Sequence, residues 1–379
     1  MLDRALGVPL PDIAEGRRLP AGDRPSLLGM RPEDLLRWAV ENGVPCGIQE
    51  ARKVLGHVLS EGNDDLYAMR RPIGKALVRA IDAGTRRDRL RVLERFVDPA
   101  DTSVRYLFEH ADGARSEAVR IPLHKAGCFS VCLSSQVGCA MRCTFCATGR
   151  LGLQRNLSAD EIVAAFLTVR DEAPGRVTGA VFMGQGEPLH NYDSVIQAAS
   201  VLSNPCGGRI SAQAITISTV GLVPRIRQYT AEGHKFRLIV SLSSALTERR
   251  RRLMPVAGKW TLEELAQAIR EHQAATGGRF TVAYVVMSGE NTDEAEVHAL
   301  KALLGDVPLR VNLIDVNDAR PDGFRRAPDA ERKAFMDALQ LLEVPIVRRY
   351  SVGQDQRSAC GMLAATWAEG AQGGPADGR

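Results

Sequence analysis

The sequence predicts an α/β protein, a complete or partial β/α barrel that follows a small helical N-terminal domain. Beyond residue 158, apolar strand candidates alternate with helical patterns, which is typical of parallel strands joined by crossover helices. Before residue 100, the apolar positions follow a helical period instead. The chain has 379 residues, of which 45% are hydrophobic, so it can bury one large core and an accessory piece.

Composition excludes several classes of protein. No stretch reaches the roughly 18 apolar residues of a membrane span, and the N-terminus lacks the layout of a signal peptide. We therefore expect a cytoplasmic protein. A net charge of +4 permits RNA as a partner without requiring it.

The N-terminal region predicts a leader and then helices. Residues 1–26 contain four prolines and no apolar period, which predicts a mobile leader. A helical accessory domain is expected over 27–100, beginning with Pro32 in a first turn. Its helical positions are Leu35, Leu36, Ala39, Val54, Leu55, Val58, Leu59, Ile73, Leu77, Ile81, Leu90, Leu93 and Val97.

A hairpin is predicted over 101–127. Val104, Tyr106 and Phe108 occupy alternate positions, Asp112-Gly113 is a turn signal, and alternation resumes from Ala118 to Ile121. Glu117 lies in the second of these strands. Cys128 then begins a strand that leads to a cluster of cysteines.

The barrel is expected over 128–366, followed by a mobile tail at 367–379. Ser158 and Glu161 form a capping-box pattern before the first helix. Later strands are predicted at 180–183, 214–218, 238–242, 282–286, 309–314 and 346–347, with helices at 192–203, 222–232, 261–275, 293–304 and 328–342. In such a barrel the working residues gather at the C-terminal ends of the strands.

Three cysteines, Cys139, Cys143 and Cys146, follow a C-x3-C-x2-C spacing. Thiolates at this spacing can bind one soft metal centre, either an iron–sulfur cluster or zinc. Because a closed zinc site or a ferredoxin cluster needs four ligands, three cysteines favour a four-iron cluster with one open iron. A zinc site completed by a distant Cys or His remains an alternative.

Polar residues follow several predicted strands. Gly184-Gln185-Gly186-Glu187-Pro188 offers close backbone approach and a carboxylate for an ammonium group. Serine and asparagine at other strand ends suit ribose hydroxyls or a carboxylate, although each one alone can be a strand-end cap. These residues are Ser218, Ser241, Ser243 and Asn317.

Arginines near the expected barrel mouth offer a route for RNA phosphates, although a solvated charge run is the ordinary alternative. They are Arg150, Arg155, Arg249 to Arg252, Arg325-Arg326 and Arg348-Arg349.

An aromatic residue, Phe145, precedes the last cysteine of the cluster motif, and further motifs surround it. The full set is Cys132-x6-Cys139-x3-Cys143-x2-Cys146, Asn156-Leu157, Met183-Gly-x-Gly186-Glu187-Pro188-Leu189, Ser218-Thr219, Ser241-Leu242, Val311-Asn312-Leu313-Ile314 and Gly353-x-Asp355-x4-Cys360-Gly361. The aromatic residue resembles radical SAM (radical S-adenosylmethionine) enzymes in general, and the set as a whole resembles the RlmN/Cfr family of radical SAM RNA adenine methyltransferases, over residues 30 to 366.

The resemblance implies a partial barrel of the radical SAM type and two cofactors. One [4Fe-4S] cluster would be held by Cys139, Cys143 and Cys146, and two S-adenosyl-L-methionine molecules would be used per turnover. The SAM-binding residues would be Gly186, Glu187, Ser218, Ser241, Leu242, Ser243 and Asn317.

It also implies an activity: methylation of an adenine ring carbon, C2, in 23S rRNA and/or tRNA. Cys360 would carry the methyl group as S-methylcysteine, Glu117 would accept a proton, and Cys132 would release the product through a transient disulfide with Cys360. An electron donor such as flavodoxin or ferredoxin would reduce the cluster.

Five positions differ from the usual family sequence. Gln185 stands where the family has Met, Ser243 and Ser244 where it has His and Ala, Asp318 where it has Pro and Gln354 where it has Asp. These departures keep open C8 methylation, as in Cfr, or another acceptor. A third interpretation is an RNA-binding protein stabilised by zinc or a cluster, without turnover.

Overall fold

A ten-stranded sheet forms the centre of the molecule, in the order β1-β2-β3-β4-β7-β8-β9-β10-β11-β12. The computed structural model describes residues 24–318, 320, 323–349 and 361–363. Strands β1 to β4 pair antiparallel, and β4 and β7 to β12 pair parallel. The strands are β1 (Arg91–Val97), β2 (Val104–Glu109), β3 (Arg115–Pro122), β4 (Cys128–Leu133), β7 (Arg176–Phe182), β8 (Ile215–Thr219), β9 (Arg237–Ser241), β10 (Phe280–Val286), β11 (Leu309–Asp315) and β12 (Ile346–Arg349). A separate pair consists of β5 (Gln136–Gly138) and β6 (Leu153–Asn156).

Helices precede the sheet and connect its parallel strands. The N-terminal helices are α1 (Pro32–Glu41), α2 (Ile48–Leu55) and α3 (Lys75–Gly84). The later helices are α4 (Ala147–Leu151), α5 (Ala159–Asp171), α6 (Tyr192–Ser203), α7 (Val223–Ala231), α8 (Thr247–Leu253), α9 (Leu262–Thr276), α10 (Glu294–Leu304) and α11 (Asp329–Ala338). The α/β class, the partial barrel and the predicted alternation from α5 to β12 are confirmed.

The predicted helix over 90–97 is wrong, because these residues form strand β1 at the edge of the sheet. The register with β2 shifts between Val92 and Glu94, so Leu93 is an extra residue in a β-bulge. That extra residue breaks the two-residue period of the strand and leaves apolar positions three apart, which imitate a helix.

The two faces of the sheet carry different residues. One face packs into the main core, through residues such as Ala118, Leu133 and Ile217. The alternate positions form a second face, which we call the inner face. Its small apolar clusters contain Val119, Cys132, Leu363, Ile239, Ala283 and Ile314.

The N-terminal helices share the main core with the barrel, and polar contacts fix them to it. Arg86 forms a salt bridge with Asp160 at 2.7 Å, and Gln197 donates to Asp34 at 2.8 Å. The predicted domain boundaries remain predictions, and most of the leader and the whole tail lie outside the described residues. Within the described ranges, no helix is long and apolar enough to cross a membrane.

Candidate active site at the inner face

The cysteine loop is a tight connection between β5 and α4. Gly138 has φ of +76°, and a Cβ there would lie 1.9 Å from the carbonyl oxygen of Gly152, so only glycine fits. Cys139 N donates to the same carbonyl at 2.8 Å. On its other side, the amide of Thr144 donates to Leu253 O at 3.0 Å, which ties the loop to α8.

The three thiols of this loop are buried or half-buried and act on one another. Burial raises the pKa values of Cys139 and Cys143, and the neighbouring thiols raise them further. Among the described residues, no group of three His, Cys, Asp or Glu side chains is arranged to hold a metal ion. The chemistry of the donor set nevertheless fits an iron–sulfur cluster, since bound iron would stabilise thiolates that burial and mutual repulsion disfavour.

A buried arginine lies beside this loop. Arg250 is 3% exposed and donates to Val220 O at 2.6 Å, to Ser241 O at 3.2 Å and to Leu242 O. Burial lowers its pKa to about 10, and Cys143 acts in the opposite direction, so the cation persists at neutral pH. Arg250 therefore joins the ends of β8 and β9 next to the cysteines.

Two of the arginines predicted to contact RNA are buried inside the fold. Arg250 is buried as described above, and Arg155 is 3% exposed in salt bridges with Asp112 and Glu161. The sequence-based expectation is wrong at these two positions, because carbonyls and carboxylates inside the fold bind both guanidiniums. Arg325 and Arg326, in contrast, are exposed.

The glycine-rich turn after β7 is also closely packed. Gly186 has φ of +99°, and a Cβ there would meet Gln136 at 2.6 Å. Glu187 is 2% exposed and accepts from the amides of Leu189 at 3.0 Å and Val220 at 2.9 Å. Burial outweighs these hydrogen bonds and raises the pKa of Glu187 to about 7. A bound ammonium group would lower this pKa again, because it favours the charged carboxylate.

The predicted SAM-binding residues at the ends of β8 and β9 fall into two groups. Ser218 and Ser241 meet on the inner face, with their Oγ atoms 3.3 Å apart. Leu242 points into the main core, and Ser243, with φ of +56°, is fully buried and accepts from Asn291 through its carbonyl. The roles of these residues remain predictions.

Asn317 lies past the end of β11, beside a pocket of about 390 Å³. Its Oδ1 accepts from Arg326 at 2.9 Å, and Met362 also lines the pocket. This residue therefore faces the returning C-terminal segment.

Glu117 and Cys132 share the inner face of neighbouring antiparallel strands. Val119 pairs with Cys132 in the register of β3 and β4, so Glu117, two residues earlier, is a diagonal neighbour of Cys132. In the same register Glu117 lies opposite Ser134, whose Oγ donates to the Glu117 carbonyl at 2.6 Å. The structure thus brings the predicted proton acceptor close to the predicted resolving cysteine.

The residues after Cys360 lie between Cys132 and the cysteine loop. Leu363 is 3% exposed and packs against Cys132 and Val119. Gly361 O accepts from the amide of Ala147 at 2.7 Å, directly after Cys146, and Leu363 O accepts from Thr148 at 3.1 Å. Cys360 itself, with Gly353 and Asp355, lies outside the described residues. The part of the chain that the structure describes contains seven cysteines, and no disulfide links any of them.

Sequence reasoning missed the side chains that surround Glu117. Arg105 forms a salt bridge with Glu117 at 2.5 Å, and Gln185 donates to the same carboxylate at 3.1 Å. The sequence did contain a signal for Arg105. The hairpin turn between β2 and β3 fixes the register of the two strands, and this register places Arg105 on the same face as Glu117.

Comparison with known proteins agrees with this geometry. The Radical SAM superfamily model matches residues 133–302. A probable RNA methyltransferase of Anaeromyxobacter sp. (strain Fw109-5) is 50% identical over 89% of this chain and 98% of its own. A dual-specificity RNA methyltransferase RlmN of Syntrophobacter fumaroxidans is 40% identical, over 76% of this chain and 83% of its own.

A solved structure shows the same architecture. The crystal structure of a radical SAM methyltransferase from Sphaerobacter thermophilus matches with a TM-score of 0.82 and 32% identity, over 90% of this chain and 99% of the other. Proteins of this kind use a [4Fe-4S] cluster and SAM, and the RlmN type uses SAM twice. By its sequence, its fold and the arrangement of its cysteines, the chain belongs to the RlmN-like family of radical SAM RNA methyltransferases.

Proposed function

We propose that this protein methylates C2 of an adenine in 23S rRNA and/or tRNA, with Cys360 carrying the methyl group. The observation that carries the proposal is the placement of residues 361–363 against both Cys132 and the cysteine loop. Because Cys360 is bonded directly to Gly361, this placement supports a Cys360 thiol that can react both near the cysteine loop and with Cys132. The name of the RlmN relative, a dual-specificity RNA methyltransferase, supports two classes of RNA substrate.

The acceptor explains why a radical route is needed. C2 of adenine is an electrophilic ring carbon, so an electrophilic methyl group cannot be transferred to it directly from SAM. A cluster bound to Cys139, Cys143 and Cys146 would supply the electron that cleaves SAM reductively to a 5′-deoxyadenosyl radical. Cys139 and Cys143 are buried, and Cys146 is half-buried.

The protein's own side chains carry the remaining steps. The Cys360 thiolate accepts a methyl group from one SAM by displacement. The 5′-deoxyadenosyl radical takes a hydrogen atom from the S-methyl group, and the resulting methylene radical bonds to the adenine carbon. One electron then returns from the adduct to the centre that supplied it, and Glu117 accepts the proton from the modified carbon. Cys132 attacks the Cys360 sulfur, the disulfide forms as the bond between sulfur and methylene breaks, and the departing carbon takes up a proton to become the methyl group.

Residues at the strand ends would bind and orient SAM. Glu187 suits its ammonium group, because a cation would compensate a carboxylate that burial now disfavours. Ser218 and Ser241, whose hydroxyls meet on the inner face, suit its ribose or carboxylate oxygens. We also propose that the protein works in the cytoplasm, with flavodoxin or ferredoxin as electron donor.

Mass spectrometry of nucleosides tests the proposal. Ribosomal and transfer RNA from a strain that expresses the protein would be compared with RNA from a strain expressing Cys360→Ala. We expect 2-methyladenosine only with the intact protein. The appearance of 8-methyladenosine instead would assign a Cfr-like reaction, and reductive SAM cleavage with neither nucleoside would refute adenine as the acceptor.

A further inference from the structure

The Glu117 carboxylate is held at both of its oxygens. Arg105 Nη1 donates to Oε1 at 2.5 Å, and Gln185 Nε2 donates to Oε2 at 3.1 Å. The Arg105 and Glu117 side chains are 2% and 0% exposed, and Gln185 is 1% exposed. A surface carboxylate rotates freely, whereas this one has a defined direction.

Arg105 is itself fixed by its neighbours across the sheet. It pairs with Phe96 on β1 and with Val119 on β3, so all three side chains lie on the inner face. The guanidinium stacks on the Phe96 ring, 4.0 Å from its centroid. A cation held in this way offsets the cost of burying the Glu117 charge.

Gln185 reaches Glu117 from the glycine-rich turn, at the position where the family usually has Met. The backbone amide of Gln185 donates to Ser134 Oγ at 2.9 Å, and its backbone carbonyl accepts from Ser135 N at 2.7 Å. Ser134 Oγ in turn donates to the Glu117 carbonyl. Backbone hydrogen bonds therefore fix the turn to the end of β4, and the side chain adds a donor that methionine lacks.

We propose that Arg105 and Gln185 are positioning residues that orient the Glu117 carboxylate toward the carbon from which it takes the proton. This inference rests on the proposed function, in which Glu117 is the proton acceptor. Each carboxylate oxygen has two acceptor positions, so a carboxylate held in this way keeps lone pairs for the proton. A general base must lie within hydrogen-bond reach of its proton, and a misdirected carboxylate slows that step alone.

The test follows the covalent RNA–protein adduct in a single turnover of the reconstituted enzyme. Gln185→Met removes the donor while keeping the bulk, and Arg105→Met and Arg105→Lys compare loss and retention of the cation. Gln197→Met is the matched control, because Gln197 also donates to a carboxylate, that of Asp34, at the N-terminal helices. Denaturing gels would measure the adduct, and chromatography would measure 5′-deoxyadenosine.

We expect Gln185→Met to slow decay of the adduct roughly tenfold, the effect of losing one hydrogen bond to a charged group. Formation of 5′-deoxyadenosine and the KM for RNA should stay at the values of the unmodified protein. Arg105→Lys should restore part of the rate lost in Arg105→Met. If Arg105→Met does not fold, Gln185→Met decides alone.

Two outcomes overturn the inference. One is decay of the adduct in Gln185→Met at the rate of the Gln197→Met control. The other is an equal loss of 5′-deoxyadenosine, which would place the defect in SAM binding by the turn. An unmodified protein that forms neither adduct nor methylated adenine would refute the proposed function, and the inference with it.

Discussion

Leu363 packs against Cys132 on the inner face of the sheet, so residues 361–363 lie against a strand that precedes the cysteine loop. The contact is accompanied by hydrogen bonds from Ala147 and Thr148, on the helix that follows Cys146. The segment adjoining Cys360 is thus fixed both to the strand of Cys132, the proposed resolving cysteine, and to the helix after the cysteine loop. This arrangement suits the proposed role of Cys360, which must meet a radical and later a thiolate.

Replacing Cys132 should separate adduct formation from product release. In Cys132→Ala, RNA should remain covalently attached to the protein, because no thiolate is available to displace it. Released methylated RNA should fall to background, as measured on denaturing gels and by nucleoside mass spectrometry. Cys128→Ala, at the start of the same strand, is the control and should behave as the unmodified protein does.

The cysteine loop should carry iron. Cys139→Ala, Cys143→Ala and Cys146→Ala should each lose the bound iron and sulfide, since each removes one of three protein ligands. Cys206→Ala should keep both. Anaerobic purification followed by iron, sulfide and zinc analysis makes the measurement, and stoichiometric zinc in the unmodified protein would contradict the cluster.

Glu187 should make SAM binding depend on pH. Because burial raises its pKa to about 7, the carboxylate is increasingly protonated below that pH and loses its attraction for the SAM ammonium group. SAM affinity of the anaerobic holoprotein should therefore fall as the pH drops through 7. Glu187→Gln should bind roughly tenfold more weakly at high pH and show a flat profile. A pH dependence retained in this variant would argue against the role of Glu187.

The network of Glu161 should contribute stability that acid removes. Burial pushes its pKa up, but hydrogen bonds from His110 and Arg155 outweigh burial and lower the pKa from 4.5 to about 2. The stabilisation is therefore complete above the unfolded value, 4.5, and is lost as the pH falls toward 2. It amounts to about 3 kcal/mol, of which about 1 kcal/mol disappears between about pH 6 and pH 4.

Urea denaturation at these two pH values measures that effect. The free energy of unfolding should fall more on acidification in the unmodified protein than in Glu161→Gln, whose amide cannot titrate. Equal slopes in the two proteins would show that Glu161 contributes nothing to acid sensitivity.

The order of helices and strands could be predicted from the sequence because hydrophobic periodicity is a local property. The parallel strands and their crossover helices were recognisable from apolar runs and from signals such as Ser158 with Glu161, whose carboxylate accepts from the Ser158 amide. Strand β1 was missed because a bulge at Leu93 disrupts the period. Its place beside β2 depends on pairing with residues further along the chain.

The predicted site residues could be named from motifs, but their surroundings could not. Arg250 and Arg155 look like surface charges in the sequence, and only long-range contacts reveal that carbonyls and carboxylates bury them. The contact between Gln185 and Glu117 joins the turn after β7 to strand β3, 68 residues apart in the sequence, so no local pattern predicts it. A charged residue in the sequence is therefore a poor guide to whether its side chain is buried.

A labelled methyl group tests whether Cys360 carries the methyl group to the RNA. Protein bearing a trideuteromethyl group on Cys360 would react once with unlabelled SAM and RNA. We expect an adenine methyl group with two deuterium atoms and one deuterium in 5′-deoxyadenosine, because the radical removes one atom from the carried group. An unlabelled methyl group on the adenine, with no deuterium in 5′-deoxyadenosine, would show that Cys360 is not the methyl carrier.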